Sequence, residues 1–301
     1  MKLCSICPFN CQADRIKTFG ICKLPNKILI SQVSQHFFEE PMISGQKESN
    51  NLGGSGAIFF TGCNAKCVFC QNYQISNPDY WSKKQIKEVS EEELFEICQT
   101  LIQEKKVHNL NFVTPTPYSD LLYKFLKKYK KELKIPIIWN SNGYEKIETL
   151  KKLSGLIDIY LPDIKYFDNK IALKYSLLPN YFKYASTAIK EMFKQVSYPQ
   201  ISKTGFIKKG LIIRHLVLPG GLKDSKKILD WIYQEFGKKA FVALMSQYYP
   251  VFKAVNFKEI NRKLTKQEHE EITEYFLQLG FKDGLIQDLE SADPIYTPDF
   301  N

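Results

Sequence analysis

Cys63, Cys67 and Cys70 stand in the segment Cys63-Asn64-Ala65-Lys66-Cys67-Val68-Phe69-Cys70, spaced C-x3-C-x2-C. Thiolates are soft ligands that suit iron–sulfur clusters, and a cubane [4Fe-4S] cluster normally takes four of them. Three on one short loop hold three irons and leave the fourth open to chelate a substrate or cofactor. Gly62 and neighbouring backbone amides are expected to shelter the cluster's negative charge. The plainer readings are a zinc site short of one ligand or three incidental thiols. The spacing, the aromatic Phe69 before the last cysteine and the apolar run before the first argue against both.

Cys4, Cys7, Cys11 and Cys22 give a second group, C-x2-C-x3-C-x10-C, with no matching histidine pair. Four clustered thiolates can close a tetrahedral site around zinc or carry a second iron–sulfur cluster, and both readings stay open. Pro8, Gly20 and Pro25 supply the turns such a knuckle needs. Cys98 sits alone on the apolar face of a helical pattern and is expected to be a buried packing residue.

Elements that would position these residues are legible in the hydrophobic pattern. Short apolar runs at 57–61, 110–113, 135–139, 156–161, 211–218 and 240–245 alternate with amphipathic stretches such as 91–103, 119–131 and 223–236. Strand followed by helix, six times over, predicts an α/β fold with a parallel sheet. Each run ends on polar or glycine-rich residues: Gly62-Cys63-Asn64, Thr114-Pro115-Thr116, Asn140-Ser141-Asn142-Gly143, Pro162-Asp163-Ile164-Lys165, Pro219-Gly220-Gly221 and Ser246-Gln247-Tyr248. In a parallel β/α barrel such ends share one face, where active sites are built. The expected architecture is therefore a partial (β/α)6 barrel over residues 51–301, behind a cysteine-rich, metal-binding lead-in over residues 1–50. A doubly wound open sheet is the alternative. The acidic, proline-containing stretch 287–301 is expected to lie over the surface.

Composition narrows the partners. No apolar run approaches the roughly 20 residues of a membrane span, and the start lacks the apolar core of a secretory signal, so a cytoplasmic location is expected. In such a compartment grouped cysteines point to metal rather than to disulfides. The net charge of +10 comes from scattered lysines, with arginine only at Arg15, Arg214 and Arg262. That pattern reads as solvated surface, so no nucleic-acid partner is expected; an acidic electron-carrier protein suits it equally.

The cysteine loop resembles the C-x3-C-x-aromatic-C motif of the radical S-adenosylmethionine superfamily. The resemblance implies that the methionine amino and carboxylate groups of S-adenosylmethionine bind the open iron. One electron from the cluster then splits the sulfonium, and the 5′-deoxyadenosyl radical takes a hydrogen from the substrate. Over residues 53–250 the chain looks most like the glycyl-radical activating enzymes, and in particular a pyruvate formate-lyase activating-like group that shares the cysteine leader.

Ile157-Asp158-Ile159-Tyr160-Leu161-Pro162-Asp163-Ile164-Lys165 is similar to a family strand ending in Asp-Leu-Lys, which implies that Asp163 and Lys165 contact the cofactor. Ile213-Arg214-His215-Leu216-Val217-Leu218-Pro219-Gly220 is similar to a strand with Arg followed by Val-x-Pro-Gly. Arg214 breaks an apolar run, so if buried it needs a partner, with cofactor carboxylate and substrate backbone as candidates. His215 lies on the opposite face of that strand, so at most one of the two points inward.

Two departures matter. Where activating enzymes carry Gly-Gly-Glu, this chain reads Val113-Thr114-Pro115-Thr116-Pro117, leaving Thr114 and Thr116 to meet the amino group. Where they carry Asp-Thr-Asn-Gly it reads Asn140-Ser141-Asn142-Gly143, leaving Asn140 and Asn142 on the cofactor side. No catalytic acid or base is assigned. The expected activity is radical cleavage of S-adenosylmethionine with a flavodoxin- or ferredoxin-like electron donor, directed at a glycyl-radical protein. The alternatives are a small molecule, peptide or RNA as target, or a non-catalytic cysteine-metal binding module.

Overall fold

The computed structural model describes residues 3–47, 52–81, 86–296 and 300. Its strands are β1 (Ile28–His36), β2 (Ser55–Phe60), β3 (Lys87–Val89), β4 (Asn109–Val113), β5 (Ile137–Ser141), β6 (Ile159–Pro162), β7 (Gln200–Ile201), β8 (Ile207–Leu216), β9 (Phe241–Met245) and β10 (Gly284–Ile286). The helices are α1 (Pro41–Ser44), α2 (Tyr73–Ser76), α3 (Glu91–Gln103), α4 (Ser119–Leu133), α5 (Ile147–Lys152), α6 (Asn169–Ser176), α7 (Tyr181–Val196), α8 (Leu222–Phe236) and α9 (Lys266–Leu279).

All six anticipated strands are present, as β2, β4, β5, β6, β8 and β9, and neighbours among them pair in parallel. Their buried runs pack on both faces, as parallel strands between layers must. The helices seal the outside with amphipathic faces. In α4 the buried set Leu122, Phe125, Leu126, Tyr129 and Leu133 follows the helical period, while Lys127, Lys130 and Lys131 take the other face. A Ser90–Glu93 capping box starts α3 on the predicted residue.

Strand order runs β10-β9-β8-β6-β5-β4-β2-β1-β3. From β2 to β10 the parallel strands follow chain order without reversal, so there is no switch point of the kind a doubly wound sheet has. The sheet winds in one direction and stays open: it is a partial barrel. Two additions escaped the hydrophobic pattern. β10 extends the sheet in parallel with β9, being too short and too exposed to give an apolar run. At the other edge β1 pairs antiparallel with β2 and β3.

The carboxyl-terminal stretch lies largely at the surface, as expected: among its described residues only Ala292 and Phe300 are buried, the Phe300 ring packed edge-on against Phe59 at 5.5 Å. Cys98 is fully buried in the main core, as its place on α3 required. Among the described residues no helix is long and apolar enough to cross a membrane.

Candidate active site

The carboxyl ends of the parallel strands open into a cavity of about 460 Å3. Cys63, Cys67, Cys70, Thr114, Asn140, Asn142, Asp163, Lys165 and Arg214 all line it, so residues more than 150 positions apart meet at one place.

The thiol loop leaves β2 through Gly62, whose φ of 78° places it in the left-handed region; a side chain there would press on Leu24. The Gly62 amide donates to the Ile75 carbonyl at 2.7 Å. Of the neighbouring backbone amides, that of Ala65 lies beside a thiol, 3.3 Å from the Cys63 sulfur.

Each thiol has a polar neighbour. The Asn142 side chain donates to Cys63 at 3.4 Å. The Ser176 hydroxyl donates to Cys67 at 3.0 Å and is itself bonded to the Tyr166 hydroxyl. Ser76 lies 3.2 Å from the Cys70 sulfur. Donors aimed at sulfur are what a cluster's thiolates require to spread their charge. Burial, followed by the neighbouring Cys67, raises the free thiols, Cys63 to about 11 and Cys70 to about 12. A ligand that binds there must displace protons, as a metal cluster does. Three thiols with three sets of donors around an open cavity fit a cluster with one free iron.

Thr114 follows β4 with a φ of 60°, a left-handed conformation unusual for a β-branched residue. Thr116 is not at the cavity. Its hydroxyl turns inward to donate to Glu145 at 3.0 Å, beside the Trp139 indole at 2.8 Å. Burial raises the Glu145 carboxyl, and among the described residues its Oε2 has no hydrogen-bond partner.

After β5, Gly143 has a φ of 73°, and any side chain there would run into the Asp163 carbonyl oxygen. This close approach brings the ends of β5 and β6 together. The Tyr181 hydroxyl clamps them, accepting from the Lys165 amide at 2.9 Å and donating to the Asn142 carbonyl at 2.9 Å.

Asp163 and Lys165 form a mutual ion pair at 2.6 Å on the cavity wall. Burial disfavours the ammonium, but Asp163 outweighs it and raises the Lys165 pKa, so the pair is ionic. Together they present one anion and one cation, the complement of an amino acid's ammonium and carboxylate.

Arg214 finds its partners in the protein. Its guanidinium donates to Glu40 at 2.8 and 2.6 Å and also to Glu39, both from the segment between β1 and α1. Burial works to raise Glu39, but Arg214 and then His36 hold its carboxyl below the ordinary value. His215 faces the other way. It bonds the Ile164 carbonyl at 2.7 Å and Ser225 at 2.8 Å, and burial lowers its pKa to about 4. It is a neutral structural residue that fixes β8 to β6 and α8.

Glu39, Glu40, Asn64, Ser76, Ser176 and Tyr181 join the site without being a defining residue of any motif in the sequence. Only the adjacent acids at Glu39-Glu40 carried a signal, because Arg214 in an apolar run demanded a counterion.

The amino-terminal thiols lie behind the cluster loop. Cys4 contacts Cys11, and Cys7 lies close to Cys4 and Cys22. Among the described residues no three His, Cys, Asp or Glu side chains gather round one point as a single ion requires. A cubane, which gives each sulfur its own iron, sets no such condition.

A family model described as the Radical SAM superfamily matches residues 57–199. The chain is 33% identical to "Uncharacterized protein MJ0674" of Methanocaldococcus jannaschii over 285 residues, 91% of this chain and 74% of that one. Among solved structures it is similar to Streptococcus suis SuiB bound to precursor peptide SuiA, at 16% identity and a TM-score of 0.52. That match covers 77% of this chain and 48% of SuiB, so the chain spans about half of SuiB's length. A domain of pyruvate-formate lyase-activating enzyme from Bacteroides vulgatus aligns at 13% identity and a TM-score of 0.43, over 58% of this chain and 94% of that domain. SuiB has also been solved bound to S-adenosylmethionine. The thiol loop after the first parallel strand and the family model agree: the chain belongs to the radical S-adenosylmethionine superfamily.

Proposed function

We propose that this enzyme directs its radical at a polypeptide, with a glycyl-radical protein as the first candidate. The observation that carries the reading is the cavity itself. At about 460 Å3 it lies toward the small end of ligand sites. A nucleoside-sized cofactor beside the thiol loop leaves room for one side chain or a tight backbone loop. The matches of Asp163, Lys165 and Arg214 to the activating enzymes point the same way.

Cys63, Cys67 and Cys70 would hold a [4Fe-4S] cluster, which together with S-adenosylmethionine supplies one-electron cleavage of the sulfonium. The chain's own residues position and shield. Asp163 and Lys165 bind the polar groups of the cofactor. Asn142, Ala65, Ser176 and Ser76 hold the thiolates with hydrogen bonds. Phe59, Leu216, Met245 and Tyr248 wall the cavity and exclude water, which would quench selectivity. Arg214, engaged by Glu39 and Glu40, shapes the wall rather than gripping substrate. The electron comes from a flavodoxin- or ferredoxin-like protein.

Incubating reduced enzyme, S-adenosylmethionine and a candidate glycyl-radical protein tests this reading. A glycyl doublet in the electron paramagnetic resonance spectrum of the partner supports it. Full cofactor cleavage with silence from every polypeptide partner, and turnover of a small molecule instead, rejects it.

A further inference from the structure

The lead-in is fastened to the barrel more firmly than a passive leader requires. Arg15 is buried, with a φ of 59°, and donates to the carbonyls of Leu24 at 3.2 Å, Pro25 at 2.7 Å and Pro117 at 2.7 Å. The last of these belongs to the turn after β4. Lys146 and Thr149 reach back from α5 and its approach to the carbonyls of Ser5 and Ile6 at 3.1 and 2.7 Å. Phe9 packs edge-on against Tyr144 at 5.3 Å, on the same apolar cluster that Cys63 and Cys67 border. A short segment with few apolar residues is thus held rigidly behind the cluster loop.

Within it, Cys4 lies against Cys11, and Cys7 lies near Cys22 and Cys4. Gly20 passes so close to Cys11 that any side chain there would strike the sulfur. Among the described residues no carboxylate pairs with the Arg15 guanidinium, which faces Cys4. A buried cation bonded only to carbonyls needs a negative charge nearby. Four neutral thiols do not supply one; a metal–thiolate centre does.

The third observation is a contact between the two cysteine groups. The Asn64 side chain lies close to the Cys7 thiol. The same side chain accepts from Asn142 at 2.8 Å, and Asn142 donates to the Cys63 sulfur at 3.4 Å. Asn64 Oδ1 is also 3.8 Å from that sulfur. Asn64 and Asn142 therefore fill the space between Cys7 and Cys63. Cys11, of the same group as Cys7, is exposed to solvent.

We infer that Cys4, Cys7, Cys11 and Cys22 hold a second, redox-active iron–sulfur cluster, which is the electron entry point for the Cys63 centre. Zinc would fill the same thiols but cannot change oxidation state, and so gives no reason for the Asn64 contact. A reduced flavin or iron–sulfur carrier protein docks on the Cys11 side and is oxidised by one electron. The Cys63 centre is reduced by one, and no bond or proton changes hands. This inference rests on the proposed cofactor chemistry at Cys63.

Metal analysis and electron paramagnetic resonance of the anaerobically purified full chain test it. Two cubanes give about eight irons and eight sulfides per chain. A Cys4→Ala/Cys7→Ala variant should fall to about four, a halving, and so should Cys63→Ala/Cys67→Ala. Reduced wild-type protein should show a spectrum broadened by two spins in contact, and each variant a narrow single signal. One zinc with about four irons per chain overturns the inference, as do two independent, unbroadened signals; neither result needs a variant to fold. Adding S-adenosylmethionine separates the two claims. A coupled eight-iron spectrum that ignores the cofactor rejects the Cys63 reading while leaving the second cluster in place.

Discussion

The Asn142 side-chain amide lies 3.4 Å from the Cys63 sulfur, although the two residues come from the ends of strands two places apart in the sheet. Each resides where its strand runs out, and the parallel sheet alone makes them neighbours. The bond is a charge-assisted one once Cys63 is a thiolate, and it is the direct link between the asparagine motif after β5 and the metal site.

Asn142→Leu should therefore lower the reduction potential of the cluster. Losing one net hydrogen bond of about 1 kcal/mol corresponds to a shift on the order of 40 mV for one electron. A redox titration followed by electron paramagnetic resonance reads it. An unchanged potential would mean that the amide does not face the thiolate.

Lys165→Met should leave iron content intact and weaken S-adenosylmethionine binding by about 10- to 100-fold, the worth of one charged hydrogen bond. Asp163→Asn should do likewise. Equilibrium dialysis of the cluster-loaded variants measures both. Wild-type affinity in either one removes that residue from the cofactor site.

Arg214→Met leaves Glu39 and Glu40 buried without their cation, at a cost of about 3–5 kcal/mol. The pH dependence should also invert. In the native protein Glu39 is held below its ordinary pKa, so its contribution is present at neutral pH and is lost as the medium is acidified through the carboxylate range. In the variant the carboxyls rise, and stability should fall as pH increases through their new values. Thermal denaturation between pH 4 and 8 distinguishes the two slopes.

His215 gives a second pH signature. Its pKa of about 4 in the fold lies below the ordinary 6.5, so the unfolded chain binds the extra proton first. Its stabilisation is complete above pH 6.5 and declines toward pH 4, by about 3 kcal/mol in all. His215→Gln should flatten that part of the profile in denaturant titrations. A variant as acid-sensitive as the native chain would place the effect elsewhere.

The legible parts of this molecule are those governed by local rules. Strands β2, β4, β5, β6, β8 and β9 announced themselves as apolar runs, and the thiol loop did so by ligand type and spacing, because both signals sit within a few residues. The same holds for α3, whose Ser90–Glu93 box marks its start. What stayed hidden depends on distant approach. Nothing near Ser176 says that its hydroxyl will meet Cys67 from a loop more than 100 residues away. Thr116 stands where the resemblance implies a cofactor contact, yet the short helical turn after Thr114 rotates it toward Glu145. Arg214 showed its need for a counterion but not the counterion's identity, since Glu39 and Glu40 arrive from the other edge of the sheet.

The most direct measurement is cofactor turnover. Anaerobic, cluster-loaded protein reduced in the presence of S-adenosylmethionine should form 5′-deoxyadenosine and methionine in equal amounts, and Cys63→Ala should form neither. Fully iron-loaded wild-type protein that binds the cofactor without yielding 5′-deoxyadenosine under any reductant would contradict the account.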